Sequence, residues 1–224
     1  MAKAPFPILY EDNHLLVVDK PPGLATMGVA AGIPSLLSEA KAYIKRKYQK
    51  PGNVYLGIVS RLDAPVTGVL VLARTSKAAA RLTEQFRSKE VEKSYWALVE
   101  PEVEPAQATL QDWVRKDERH RRMHIATAEN PDAKEAILSY RTLQSNRRST
   151  LLEVDLQTGR KHQIRLQLSH QGHPILGDRK YGSKVSFPAG IALHAHSLSF
   201  QHPVQKEQLD FTAPLPAAWS SFGY

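Results

Sequence analysis

Residues 57–75 read GIVSRLDAPVTGVLVLART. The apolar run of Leu56, Ile58 and Val59 is interrupted by Ser60, Arg61, Leu62 and Asp63; Pro65 and Gly68 break the backbone, and Val69–Ala73 resume as a leucine- and valine-rich run. Apolar runs punctuated in this way read as strand, loop, strand, with an arginine and a carboxylate displayed on the loop. Loops held between rigid strands are where proteins usually place reactive groups. Taken alone, Arg61 and Asp63 support two accounts, a salt-bridged turn or a catalytic carboxylate beside a cation.

The stretch sits in a chain of 224 residues, enough for one large domain or two small lobes around a continuous core. No cysteine is present, which excludes a disulfide framework and thiolate metal sites and fits a reducing compartment. The opening MAKAPFPILYEDNH lacks the long apolar core of a signal peptide, and no apolar run approaches membrane-spanning length. The expectation is a cytoplasmic protein. A net charge of +8 favours a polyanionic partner through phosphate contacts and counterion release, which makes nucleic acid the first partner to consider.

Toward the N-terminus, ILY and LLVV flank Asp12 and Asn13 and predict paired strands within Pro7–Asp12 and His14–Asp19, stopped sharply by Lys20, Pro21, Pro22 and Gly23. Lys20 is a candidate nucleic-acid contact. Pro34–Tyr48 reads as an amphipathic helix through Leu36, Leu37, Ala40 and Ile44, with Lys45, Arg46 and Lys47 favourable against the dipole of its last turn. Beyond the central loop, Ser76 is the expected cap of a second helix whose face carries Ala79, Leu82 and Phe86. Val91–Glu100, VEKSYWALVE, alternates as a strand with Lys93, Tyr95, Ala97 and Val99 on one face.

Between Ala108 and Leu156 four short strand patterns, separated by turn residues, imply antiparallel pairing. Arg115, Lys116, Arg119, His120, Arg121, Arg122 and His124 crowd one part of this region and make it the first candidate for a nucleic-acid backbone contact. In Leu156–Gly182, Thr158 is placed to cap a helix with Ile164 and Leu168 on its apolar side and His162 and Arg165 on another face, ended by Gly172. LHAHSLSFQHP and QLDFTAP then read as a closing hairpin with Pro203 near its turn.

Several of these stretches resemble the RluA family of RNA pseudouridine synthases. The loop SRLDAPVTG is similar to that family's HRLDxxTSG, with Ser60, Val66 and Thr67 as departures. YEDNHLLVVDKPPGL matches a strand ending in DKPxGL, and Lys93, Tyr95, Ala97 and Val99 reproduce KxYxAxV. TGRKHQIR followed by GHPILGDRKYG resembles TGRTHQIR and GxPIxGDxxYG, and the C-terminal hairpin resembles LHAxxLxFxHP and FxAPxP. The likeness spans Tyr10–Pro216. It implies an α+β pseudouridine synthase fold, a mixed but mainly antiparallel sheet in two lobes with flanking helices and a basic central cleft. It also implies a single catalytic domain over residues 1–224, without the S4 RNA-binding domain that many relatives carry.

By the same resemblance Asp63 is the catalytic residue, Arg165 its basic partner, and Tyr95 an active-site side chain that stacks on the target base. Arg61 would enter the space left by a flipped base, Ile164 would wall the pocket, and His162 would contact substrate. The reaction breaks the N1 glycosidic bond of uridine, turns the base and joins C5 to C1′, so it needs no cofactor. An ionised Asp could attack C1′, remove a sugar proton or add to C6 of the base, and the sequence leaves these routes open. The implied substrate is a uridine in tRNA or rRNA, taken out of its stack, and the implied state is a metal-free monomer. Two alternatives stand beside this. One is an RNA-binding or RNA-folding module without activity, suggested by the three loop departures. The other is a metal hydrolase using the histidines between His162 and His202, such as His194 and His196.

Overall fold

The computed structural model describes residues 4–120 and 122–224; Arg121 of the basic run lies outside the described residues. In chain order the elements are β1 (Ile8–Glu11), β2 (Leu15–Lys20), α1 (Leu36–Lys47), β3 (Gly57–Ile58), β4 (Thr67–Ala73), α2 (Ser76–Arg87), β5 (Glu92–Val99), β6 (Gln107–Asp117), β7 (Arg122–Ala126), β8 (Lys134–Ser145), β9 (Thr150–Leu156), α3 (Gln163–His170), β10 (Leu193–Gln201) and β11 (Gln208–Thr212). They fall into two compact units, Met1–Lys93 with Ala195–Leu215 and Ser94–His194 with Pro216–Tyr224. This is the α+β class expected, with antiparallel pairing dominating the sheets.

In the first unit the strand order is β1-β2-β4-β10, with β3 pairing on β4 and β11 on β10. Leu15–Val18 of β2 and Val69–Ala73 of β4 are continuous apolar runs because both of their faces are covered. Leu16, Val18, Leu70 and Leu72 pack with Leu36, Ala40, Tyr43 and Ile44 of α1. Leu15, Val17, Val69, Val71 and Ala73 pack with Ala78 and Leu82 of α2 and with Phe200. The period-2 geometry of a strand sends alternate residues to these two cores. Helix α1 begins at a capping box formed by Ser35 and Ser38, an arrangement in which the cap alone contributes about 1 kcal/mol. α2 is capped by Thr75, whose side chain accepts from the Ala78 amide, so the cap lies one residue before the expected Ser76. Gln85, with Ala78 and Leu82, forms its buried face, while Ala79 and Phe86 are only partly covered.

In the second unit the order is β5-β9-β8-β6-β7, antiparallel at every pairing. The four strand patterns expected between Ala108 and Leu156 are therefore all present. α3 lies over this sheet, where Leu166 joins Val114, Met123, Ala136 and Tyr181 in a core cluster. The helix does not start at a Thr158 cap. Its N-cap is His162, in the left-handed conformation (φ 54°) with no side-chain cap bond. Thr158 is occupied sideways: its hydroxyl donates to Gln163 Oε1 (2.8 Å) and accepts from the Ile137 amide (2.8 Å), while Gln163 Nε2 donates to the Ile137 carbonyl (3.0 Å). Gly172, at φ 85°, follows the helix end as expected.

Candidate active-site residues

In the first unit the loop after β3 carries Arg61, exposed, and Asp63, half-buried. Its backbone is gripped from both sides of Asp63. Thr26, 2% exposed, donates its hydroxyl to the Leu62 carbonyl (2.8 Å) and accepts the Leu62 amide (3.1 Å). The Ala64 carbonyl accepts from Lys20 Nζ (3.1 Å) and from the Gly23 amide (2.8 Å). The Val66 amide turns back onto the Asp63 carbonyl (3.1 Å). Gly68, at φ 111°, ends the loop so close to β10 that a Cβ there would stand 2.7 Å from Ala195 N and closer still to its carbonyl oxygen. Only glycine fits both that dihedral and that approach.

Lys20 is not an RNA contact. It is fully buried, and its ammonium donates to the carbonyls of Pro21 (2.8 Å), Leu24 (2.8 Å) and Ala64. Burial pulls its pKa from 10.5 to about 8 against the opposing pull of Asp63 and then Asp19. The lysine is therefore a clamp beneath the Asp63 loop. Sequence reasoning missed it, as it missed Thr26, because the groups they hold are main-chain atoms.

In the second unit Tyr95 stands half-buried on β5, opposite Val154 of β9. α3 contributes Ile164 and Arg165, 4% and 5% exposed. The Arg165 guanidinium makes a bidentate bond to Asp178, Nε to Oδ2 at 2.6 Å and Nη2 to Oδ1 at 2.9 Å. A buried cation of this kind is tolerable only when paired and hydrogen-bonded. Its guanidinium carbon lies 5.1 Å from the Tyr181 ring centre, and His162 Nδ1 is 2.8 Å from the Tyr181 hydroxyl. His162, Arg165, Asp178 and Tyr181 thus form one cluster. Asp178 and Tyr181 carried no role in the sequence reading beyond the GDRKYG pattern that contains both.

The described residues of the basic run lie at the end of the β6–β7 hairpin. Arg115, Arg119 and His120 are exposed there, but part of the charge is answered locally: Lys116 pairs with Glu118 (2.5 Å), and Asp117 takes His120 Nδ1 (2.8 Å) and His124 Nε2 (3.2 Å). The His120 amide and then its ring hold the Asp117 carboxyl well below the usual carboxylate range. Among the described residues no three His, Asp or Glu side chains are placed to hold a metal ion, and no helix is long and apolar enough to cross a membrane. His194 is fully buried and packs edge-on to Trp219, ring centres 6.2 Å apart.

Known proteins share this architecture. The solved structure of Human RNA Pseudouridylate Synthase Domain Containing 4 superposes with a TM-score of 0.79 at 26% identity, covering 96% of this chain and 90% of that one. The fold is that of the pseudouridine synthases. In sequence, the RNA pseudouridylate synthase profile matches residues 14–170, a span that includes Asp63, Tyr95 and Arg165. Ribosomal large subunit pseudouridine synthase D of Xylella fastidiosa is 36% identical over 226 residues, covering 95% of this chain and 66% of that protein. Uncharacterized RNA pseudouridine synthase YhcT of Bacillus subtilis is 34% identical over 213 residues, covering 94% and 68%. This chain belongs to the RNA pseudouridylate synthase family. It spans about two thirds of the length of these curated relatives.

Proposed function

We propose that this chain isomerises specific uridines of structured RNA to pseudouridine, with Asp63 as the catalytic carboxylate. The observation that carries the reading is the fixed turn around Asp63: a half-buried carboxylate whose flanking carbonyls are held by Thr26 and Lys20, inside the span of the family match. Fixing a reacting group in this way removes entropy from the barrier before substrate arrives. Arg165 is the basic partner of the reaction, Tyr95 stacks on the base, Ile164 is an apolar wall, His162 contacts substrate and Arg61 fills the gap left by the everted nucleotide. The bonds broken and formed lie within one nucleoside: N1–C1′ breaks, C5–C1′ forms, the C5 proton is released and N1 gains one. The reaction needs no oxidant, reductant or cofactor, and the protein acts as a cytoplasmic monomer. Large-subunit ribosomal RNA is the first substrate to try, because relatives matched over most of this chain are named for it; tRNA is the second.

RNA tritiated at uridine C5 tests the proposal. Wild-type protein is expected to release tritium, while Asp63→Ala binds the same RNA and releases none. Release by Asp63→Ala at the wild-type rate, or binding by the wild type without release on either RNA, refutes it; the latter is the behaviour of an RNA-binding module.

A further inference from the structure

Tyr181, 3% exposed at the end of the 3₁₀ turn Arg179–Tyr181, touches the polar side chains of α3 and its cap. Its hydroxyl accepts the Met123 amide of β7 (3.0 Å) and lies 2.8 Å from His162 Nδ1; its ring lies 5.1 Å from the Arg165 guanidinium carbon and 5.5 Å from that of Arg122. The Ser169 hydroxyl, one turn further along α3, donates to the Tyr181 carbonyl (2.5 Å).

Proton accounting at the phenol has one satisfactory solution. The oxygen receives the Met123 N–H and has a single hydrogen of its own to give. If His162 carried its proton on Nδ1 and donated it, the phenol hydrogen would be buried without an acceptor, the costly arrangement. The hydrogen bonds close only when the phenol donates to a bare Nδ1, which puts the imidazole proton on Nε2. Burial also raises the Tyr181 pKa, so the phenol keeps its hydrogen through the neutral range. His162 sits in a backbone conformation uncommon outside glycine, and the bond to the phenol restrains its ring on the Nδ1 side.

We propose that Tyr181 is a positioning residue for the isomerisation: its hydroxyl decides which nitrogen of His162 bears the proton, and its ring face seats the Arg165 guanidinium that Asp178 grips. This rests on the enzymatic reading above. Through Met123 the same hydroxyl joins β7 to the start of α3, so the basic hairpin and the helix share one anchor.

Tyr181→Phe keeps the ring and removes the hydroxyl. Long-range ¹H–¹⁵N spectra of the His162 imidazole are expected to change from a fixed Nε2–H pattern to a tautomer mixture, and kcat for tritium release to fall roughly tenfold, the scale of one buried hydrogen bond. KM for RNA should stay within about twofold, because the interaction acts on the reacting arrangement rather than on binding. An unchanged imidazole pattern, an unchanged kcat, or a loss carried wholly by KM overturns the proposal. His162→Phe removes the other end of the same bond; if Tyr181→Phe does not fold, an unchanged kcat in His162→Phe overturns it instead. If the wild type releases no tritium, the functional reading fails and with it the kinetic half of this proposal, and the imidazole spectrum alone then decides whether Tyr181 sets the His162 proton.

Discussion

Replacing Lys20 by methionine removes a buried ammonium of nearly the same length, and the structure fixes the sign and size of the effect with pH. Burial lowers the folded-state pKa from 10.5 to about 8. A group with a depressed folded-state value contributes stability that is fully present above its unfolded value and lost as pH falls through the folded one. Below pH 8 both states are protonated and nothing changes. Between 8 and 10.5 the unfolded chain binds a proton that the folded chain has released, so stability climbs with pH. The full difference is worth about 3.4 kcal/mol, of which about 2.5 is gained between pH 7 and pH 10. Methionine does not titrate, and other titrating groups, such as Lys93 and the buried tyrosines, are common to both proteins. The gap in unfolding free energy between wild type and Lys20→Met should therefore widen by about 2.5 kcal/mol in favour of wild type, or roughly 5–10 °C in Tm for a chain of this length. Urea unfolding at the two pH values measures it. At pH 7 relief of the buried charge, about 3.4 kcal/mol, opposes the loss of a donor from three carbonyls at about 1–3 kcal/mol each, and the widening of the gap with pH is what tests the reasoning. A gap that stays constant with pH would refute the reasoning, because the ammonium would then carry no burial penalty.

Gly68→Ala should lose about 3 kcal/mol or more in urea unfolding, because the new methyl meets the Ala195 backbone, which cannot swing aside. Asp178→Asn breaks the buried bidentate pair and should cost about 3–5 kcal/mol, with kcat for tritium release falling more than KM rises. Thr26→Val keeps the shape of the side chain but drops both bonds to Leu62; tritium release should slow roughly tenfold with little change in RNA affinity. Arg115→Glu with Arg119→Glu should flatten the plot of log affinity against log salt by about 0.7–0.9 for each phosphate that the variant no longer neutralises, leaving turnover of bound RNA intact. An unchanged slope would remove the β6–β7 hairpin from the RNA interface.

What the sequence reveals depends on how local the cause is. The strand pairs β1–β2 and β6–β7 and the run Val69–Ala73 were legible because alternation and turn residues act within a few positions. Thr75 and Ser76 are both competent caps by residue type, and the structure places the extended cap conformation and the bond to the Ala78 amide at Thr75. The start of α3 was misread for a longer-range reason. Thr158 has the right chemistry for a cap, but Gln163 reaches Ile137 on β8 and draws the threonine with it, leaving His162 to open the helix. Lys20 escaped because a lysine beside two prolines looks solvent-facing until three carbonyls converge on it. The motif marks Arg165 only as a candidate, whereas its grip by Asp178, 13 residues on, requires the fold.

The same distinction explains why a loop that departs from HRLDxxTSG at Ser60, Val66 and Thr67 can still hold Asp63 in place. Several restraints on the turn reach main-chain atoms: Thr26 takes both polar atoms of Leu62, Lys20 and Gly23 converge on the Ala64 carbonyl, and the Val66 amide closes on the Asp63 carbonyl. A valine amide donates as well as a threonine amide, and carbonyls 62 and 64 are blind to the side chains beside them. Val66 and Thr67 are themselves buried, at 2% and 4% exposed, and the apolar side chain of Val66 suits packing at the foot of β4. Gly68 is different in kind, since its dihedral and its approach to Ala195 both exclude a side chain. The backbone on either side of the carboxylate is accordingly held by Thr26, Lys20 and Gly68, residues outside or at the rim of the RLD triplet, and none of these backbone restraints depends on the side chain at position 60 or 66.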